Sequence, residues 1–217
     1  MKKKFNTKVI HAGHGSDKET GAVMPPIHLS STFKQIEPGN FEYEYARTKN
    51  PSRDVLEKLL AQIESGHKAF AFASGMSAIN TVCDLFGTNF HIICSDDVYG
   101  GTRRLFDKVK SDIEVTYIDF DKNVNWNDEI KENTKFIWVE TPSNPLMKII
   151  DIKNTVSIAS EFNLPVICDN TFASPFNQRP LELGADMVVS SSTKYLGGHS
   201  DIVGGSIVIK ENKEYAE

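Results

Sequence analysis

Met187-Val188-Val189-Ser190-Ser191-Ser192-Thr193-Lys194-Tyr195-Leu196-Gly197-Gly198-His199 reads as a buried strand running straight into a lysine set among hydroxyl residues and glycines. Surface lysines usually keep charged company. This one follows an apolar run and has almost no bulk beside it. Such a setting suits an amine that must approach a carbonyl and form a Schiff base, with neighbouring hydroxyls free to bind a phosphate. Taken alone, a solvated lysine in a Ser/Gly loop explains Ser190–His199 equally well. The segments upstream decide between the two.

Short apolar runs of strand length recur before it, at 69–73, 91–94, 114–118, 135–140, 165–169 and 186–190, and once after it at 205–209. Between them lie helical patterns at 76–86, 102–109, 127–133 and 154–162, and Pro51 opens an amphipathic helix over 54–65 that Gly66 closes. Strands apolar on both faces, alternating with helices, predict an α/β fold with a mostly parallel sheet flanked by helices. Residues 1–50 hold many turn formers and little periodicity, which predicts an irregular N-terminal arm with no core of its own, lying across another surface. The segment 211–217 reads as a helix begun and not finished, as in a chain cut short.

Composition sets the outer bounds. A chain of 217 residues with 40% hydrophobic and 24% charged residues has the profile of a globular domain. A net charge of -5 gives no electrostatic reason to expect nucleic acid as a partner. Lys2-Lys3-Lys4 lacks a following apolar stretch, so no signal peptide is expected, and no run reaches the ~20 apolar residues of a membrane span. Cys83, Cys94 and Cys168 lie in apolar segments without a C-x-x-C pair, and they read as reduced core residues in a cytoplasmic protein. His199 has no partners at ligand spacing, so no metal is expected, and no dinucleotide or P-loop glycine motif follows any strand.

Three further groups fall at strand ends, where ligands sit in such sheets, and a fourth lies in the arm. Ala73-Ser74-Gly75-Met76 turns from strand to helix and offers the amides of Gly75 and Met76 to an anion. Asp169 ends a strand and suits a protonated pyridine nitrogen, although capping is the common role of Asp there. Tyr99, followed by Gly100-Gly101-Thr102, suits stacking on a flat ring, with its hydroxyl free for acid–base work. Tyr45 and Arg47, two residues apart in the arm, point the same way if the backbone is extended, as a phosphate clamp requires. Each signal alone is weak. Together they supply amine, pyridine partner, ring stacker, and phosphate amides and hydroxyls, the parts of a pyridoxal phosphate site.

With these stretches, and with Glu140-Thr141-Pro142-Ser143-Asn144-Pro145 and Asp169-Asn170-Thr171, the chain resembles the Cys/Met-metabolism (transsulfuration) family of pyridoxal-phosphate enzymes. The resemblance covers nearly the whole chain. It implies the large domain of the type I pyridoxal-phosphate transferase fold over 51–217, preceded by an arm over 1–50 that reaches the neighbouring subunit. It implies pyridoxal 5'-phosphate as cofactor, joined to Lys194, with Asp169 on the pyridine nitrogen and Tyr99 on the ring. Ser191, Thr193, Gly75 and Met76 are then implied as phosphate ligands, Asn144 as a neighbour of the cofactor's phenolic oxygen, and Tyr45 and Arg47 as phosphate ligands of the neighbouring subunit. Lys194 and Tyr99 are the implied proton carriers.

The implied activity is elimination or replacement at a C–S bond of a sulfur amino acid, in a homotetramer built from dimers with shared sites. The Tyr-Gly-Gly-Thr form fits the cystathionine γ-lyase, γ-synthase and β-lyase branches rather than the methionine γ-lyase branch, where a cysteine commonly stands at the position of Gly101. Glu44 tilts the reading toward γ-lyases. Family members carry a smaller C-terminal domain with a substrate-carboxylate arginine, and this chain is expected to lack it. The competing expectation is a fragment that folds and binds cofactor or partner subunits without turnover.

Overall fold

The computed structural model describes residues 4–120, 122 and 124–211. The expected helix over 211–217 therefore lies almost wholly outside the described residues. The chain divides into two compact units, 1–63 and 64–217, so the boundary falls after the Pro51 helix and not before it.

In the first unit, α1 (Phe5–His11) and α2 (Pro51–Ile63) flank a long irregular segment. The aperiodic arm thus contains one short helix that its sequence did not announce. Its seven residues include Lys8 and His11 in the last turn, where cations suit the helix dipole, but none is buried. After Tyr45 the chain does not stay extended. The amides of Thr48 and Lys49 both donate to the Tyr45 carbonyl at 3.0 Å, so Arg47 sits in a turn. The Arg47 guanidinium lies 4.9 Å from the centre of the Tyr45 ring. The two side chains therefore meet through a bend and a cation–π contact instead of strand alternation.

The second unit is built on seven strands: β1 (Lys68–Phe72), β2 (Phe90–Ser95), β3 (Ile113–Ile118), β4 (Thr134–Glu140), β5 (Val166–Asp169), β6 (Met187–Ser190) and β7 (Gly205–Ile209). Every apolar run singled out in the sequence is one of them. Their order is β1-β7-β6-β5-β4-β2-β3, and β7 runs antiparallel to both its neighbours while the remaining pairs are parallel. Helices α3 (Gly75–Leu85), α4 (Gly100–Arg104), α5 (Trp126–Glu129), α6 (Ile152–Glu161) and α7 (Ser174–Asn177) complete the unit.

Alternation along β4 shows how the sheet is covered. Phe136 and Trp138 join Ala78, Ile79 and Val82 of α3 in one core, whereas Ile137 and Val139 join Ile152 and Ala159 of α6 in another. Both faces are buried, which is why the strands are apolar throughout. The expected helix over 102–109 is instead α4 followed by a π-helical turn, Leu105–Val109, and the one over 127–133 shrinks to the single turn of α5. At the end of α2, Ser65 takes the left-handed conformation (φ 59°), not Gly66. Gly66 is a glycine for a different reason: a Cβ there would lie 2.3 Å from Cγ1 of Val208 in β7.

Candidate functional site

Strands β1, β2, β4, β5 and β6 all end at one edge of the sheet, and antiparallel β7 begins there. Ligands in open α/β sheets gather at this edge because the strand-to-helix turns open outward from it. A cavity of about 260 Å³ lies at it, lined by Gly75, Met76, Tyr99, Asn144, Asp169, Ser191, Thr193 and Lys194 together with Ser74, Ile79, Glu140, Thr171, Phe172, Val189 and Val203. Eight of the ten residues singled out from sequence therefore share one cavity. The other two, Tyr45 and Arg47, belong to the first unit.

A corner suited to an anion follows from the start of α3. Ser74 and Ser77 form a reciprocal capping box, with the Ser77 amide donating to Ser74 Oγ at 3.0 Å and the Ser74 amide to Ser77 Oγ at 3.1 Å. First-turn amides have no acceptor inside a helix, and this cap leaves over those of Gly75 and Met76. A Cβ at Gly75 would sit 2.7 Å from the Cβ of Ser191. Only glycine lets the helix start approach the lysine loop so closely, and the approach brings amides and the Ser191 hydroxyl to one corner. Thr193 differs from its neighbours: its hydroxyl accepts from the Gly204 amide at 3.1 Å and lies 3.2 Å from the Gly204 carbonyl. It therefore ties the lysine loop to the start of β7 as well as lining the cavity.

Lys194 sits in a chain of tight turns after β6, in which the Gly198 amide donates to the Lys194 carbonyl at 2.8 Å. Its Nζ lies 3.4 Å from Ser191 Oγ and 5.9 Å from the centre of the Tyr99 ring. Tyr99 packs over Gly101, where a Cβ would come within 2.3 Å of the ring. Asn144 is carried on a loop held from below: the Ser143 hydroxyl bonds to Asp97, and the Leu146 amide donates to Asp97 Oδ2 at 2.9 Å.

Asp169, at the end of β5, is 6% exposed. Burial pushes its carboxyl above the usual range, while the Thr171 side chain and amide and the Lys194 cation pull it back. The Thr171 amide donates to Oδ1 at 3.0 Å, and the Thr171 hydroxyl in turn accepts from the Ser191 amide at 2.9 Å. Asp169 is thus coupled through Thr171 to the lysine loop, a link that the sequence reading missed.

Glu140 was missed as well, although it ends β4 just as Asp169 ends β5, and the two are register partners. It is buried and accepts the Tyr99 amide on Oε2 at 2.8 Å. Burial first, and then Asp169, push its carboxyl up to about 9. The same strand-end criterion that singled out Asp169 was sufficient to find it.

These parts fit pyridoxal phosphate. The Gly75–Ser191 corner suits a phosphate, Val189, Ile79 and Tyr99 offer surfaces to a flat ring, Asp169 suits a ring nitrogen, and Lys194 supplies an amine. Among the described residues there is no group of acidic, histidine or cysteine side chains able to hold a metal, and no helix is long and apolar enough to cross a membrane. Cys83, Cys94 and Cys168 are free and buried.

The family model of the Cys/Met metabolism PLP-dependent enzymes matches residues 6–217. Cystathionine beta-lyase of Coxiella burnetii is 47% identical over all of this chain and 57% of its own length, and cystathionine gamma-lyase of Bacillus subtilis is 48% identical with the same coverage. The crystal structure of cystathionine gamma-lyase from Lactobacillus plantarum, complexed with L-serine, superposes with a TM-score of 0.92 at 48% identity, over 96% of this chain and 55% of that one. The chain thus spans little more than half the length of these relatives. It belongs to the Cys/Met metabolism PLP-dependent enzyme family.

Proposed function

We propose that the protein is a pyridoxal-phosphate-dependent enzyme that cleaves or exchanges the C–S bond of a sulfur amino acid, with cystathionine γ-lyase chemistry as the specific reading. One observation carries it: Lys194, Asp169, Tyr99 and the Gly75–Ser191 corner, far apart in sequence, line one cavity. Bound pyridoxal phosphate supplies an electron sink that loosens bonds at the α-carbon of an attached amino acid. Asp169 would hold a positive ring nitrogen and so keep that sink electron-poor, and the Gly75 and Met76 amides and Ser191 would hold the phosphate, with Thr193 beside it.

Lys194 Nζ would take the α-proton as general base. Loss of a group at Cγ, unlike one at Cβ, would need a second proton to be taken from Cβ. Tyr99 Oη is the group proposed to assist at that second position. Asn144 orients the cofactor's phenolic side. Tyr45 and Arg47 are proposed to reach the phosphate site of a neighbouring subunit, in a homotetramer of the cytoplasm. Val23, Met24, Ile27, Leu29 and Ile36 of the same arm are exposed, Leu29 by 92%, as expected of a segment that a partner covers.

The relatives are named as β-lyases and γ-lyases. The test is the product pair formed from cystathionine. Cysteine with 2-oxobutanoate supports the γ reading, and homocysteine with pyruvate replaces it by the β-lyase. Borohydride reduction with added pyridoxal phosphate is expected to label Lys194 and to leave a Lys194→Ala variant unlabelled. A label on another residue overturns the site.

A further inference from the structure

We propose that Glu140 is a positioning residue of this site, a neutral carboxyl that anchors the Tyr99 backbone and leaves Asp169 as the only anion of the strand-end pair. The inference deepens the reading above and rests on it for the cofactor. Its geometrical basis is the register of β4 and β5, which places Glu140 opposite Asp169, both buried and both lining the cavity. Two carboxylates so placed do not both ionise without a strong cation between them. Among the described residues, no cation is paired with Glu140.

Asp169 is the better home for the single charge. It receives the Thr171 amide and side chain and feels Lys194 from the loop after β6. Glu140 receives one donor, the Tyr99 amide, and faces two acids, Asp169 on β5 and Asp97 in the loop after β2. Burial first, and then the facing Asp169, raise the Glu140 carboxyl well above the ordinary carboxylate range.

The backbone contact gives this proton a purpose. Tyr99 precedes α4, which spans only Gly100–Arg104 and has no side-chain cap at its start. The Glu140–Tyr99 hydrogen bond ties the ring-bearing residue to the end of β4. A neutral Glu140 still accepts from that amide and adds no second negative charge beside the ring nitrogen's partner.

The experiment compares wild type, E140Q and E140L in two readouts. Without cofactor, unfolding by urea is followed from pH 5 to 9. A buried carboxyl that keeps its proton in the folded chain makes wild-type stability fall with rising pH relative to E140Q, and the difference levels off near pH 9. Parallel profiles overturn the neutral carboxyl, whatever the fate of the cofactor reading. With pyridoxal phosphate, E140L is expected to weaken binding by about tenfold or more, because a buried amide loses its acceptor, and to shift the absorbance band. E140Q is expected to bind within about threefold of wild type, since its amide oxygen accepts from Tyr99. Equal weakening in E140Q and E140L overturns the inference, because charge would then be what the site needs. Absence of any band in wild type counts against the proposed function and leaves the first readout to judge Glu140.

Discussion

Glu64→Gln isolates one buried proton. Glu64 is 1% exposed, and its two carboxyl oxygens lie 3.2 and 3.4 Å from Asn170 Nδ2. Asn170 also donates to the Gln178 carbonyl at 2.9 Å and accepts from Gln178 Nε2 at 3.0 Å. Burial pushes the Glu64 carboxyl from 4.5 up to about 7, against the milder pull of Asn170 and Arg179. Between about pH 4.5 and 7 the folded chain keeps this proton while the unfolded chain has released it. The stability tied to this proton is complete below about pH 4.5 and is lost as pH rises toward 7. At 1.36 kcal/mol per pH unit, the loss over that window is about 3 kcal/mol.

Glutamine keeps an oxygen for Asn170 and has no proton to lose. The E64Q variant should therefore match wild type near pH 4.5 and exceed it at pH 7, by about 1 to 3 kcal/mol once imperfect packing is allowed for. Urea unfolding of the cofactor-free chain at several values between pH 4.5 and 8 measures the difference. Glu140 and Asp169 contribute equally to both proteins and cancel in the comparison. Equal pH slopes for the two proteins would refute the reasoning, because Glu64 would then be ionised in the folded state.

Gly75→Ala should lower pyridoxal phosphate affinity more than tenfold, since the added Cβ would stand 2.7 Å from Ser191 Cβ and force apart the two sides of the anion corner; spectral titration reads it. Asp151→Ala removes the side-chain acceptor of the Asn154 amide at 3.0 Å, the N-cap of α6. It should cost about 1 kcal/mol, or roughly 2–4 °C in Tm, with cofactor affinity unchanged.

The sheet was legible because its strands are short, apolar on both faces and bounded by turn formers, a pattern that buried strands require and little else produces. Strand direction was not. Nothing in Gly205–Ile209 says that it runs against its neighbours, since pairing direction is settled by the connection and not by the strand's own residues. Helix α1 was hidden because seven residues give too little periodicity, and the π-helical turn after Arg104 has no sequence signature distinct from an α-helix. Lys194 and Asp169 were singled out because each follows an apolar strand at the edge where ligands gather, and both line the cavity there. Glu140 was within reach of the strand-end criterion and was passed over, whereas Thr171 escaped because its contribution is relational, through Asp169 and Ser191. Gly66 shows the converse case, a correct residue with the wrong reason.

The pairing of Lys68 with Ile209 has a consequence for biosynthesis. The first strand of the sheet waits for its neighbour across about 140 residues of chain, a closure that local contacts cannot hasten. Because Gly75 follows that strand directly, the ribosome must release nearly all of the second unit before the corner proposed to hold the vitamin exists. Uptake of the vitamin by nascent chains arrested at successive lengths should therefore begin abruptly, once the last strand has cleared the exit tunnel.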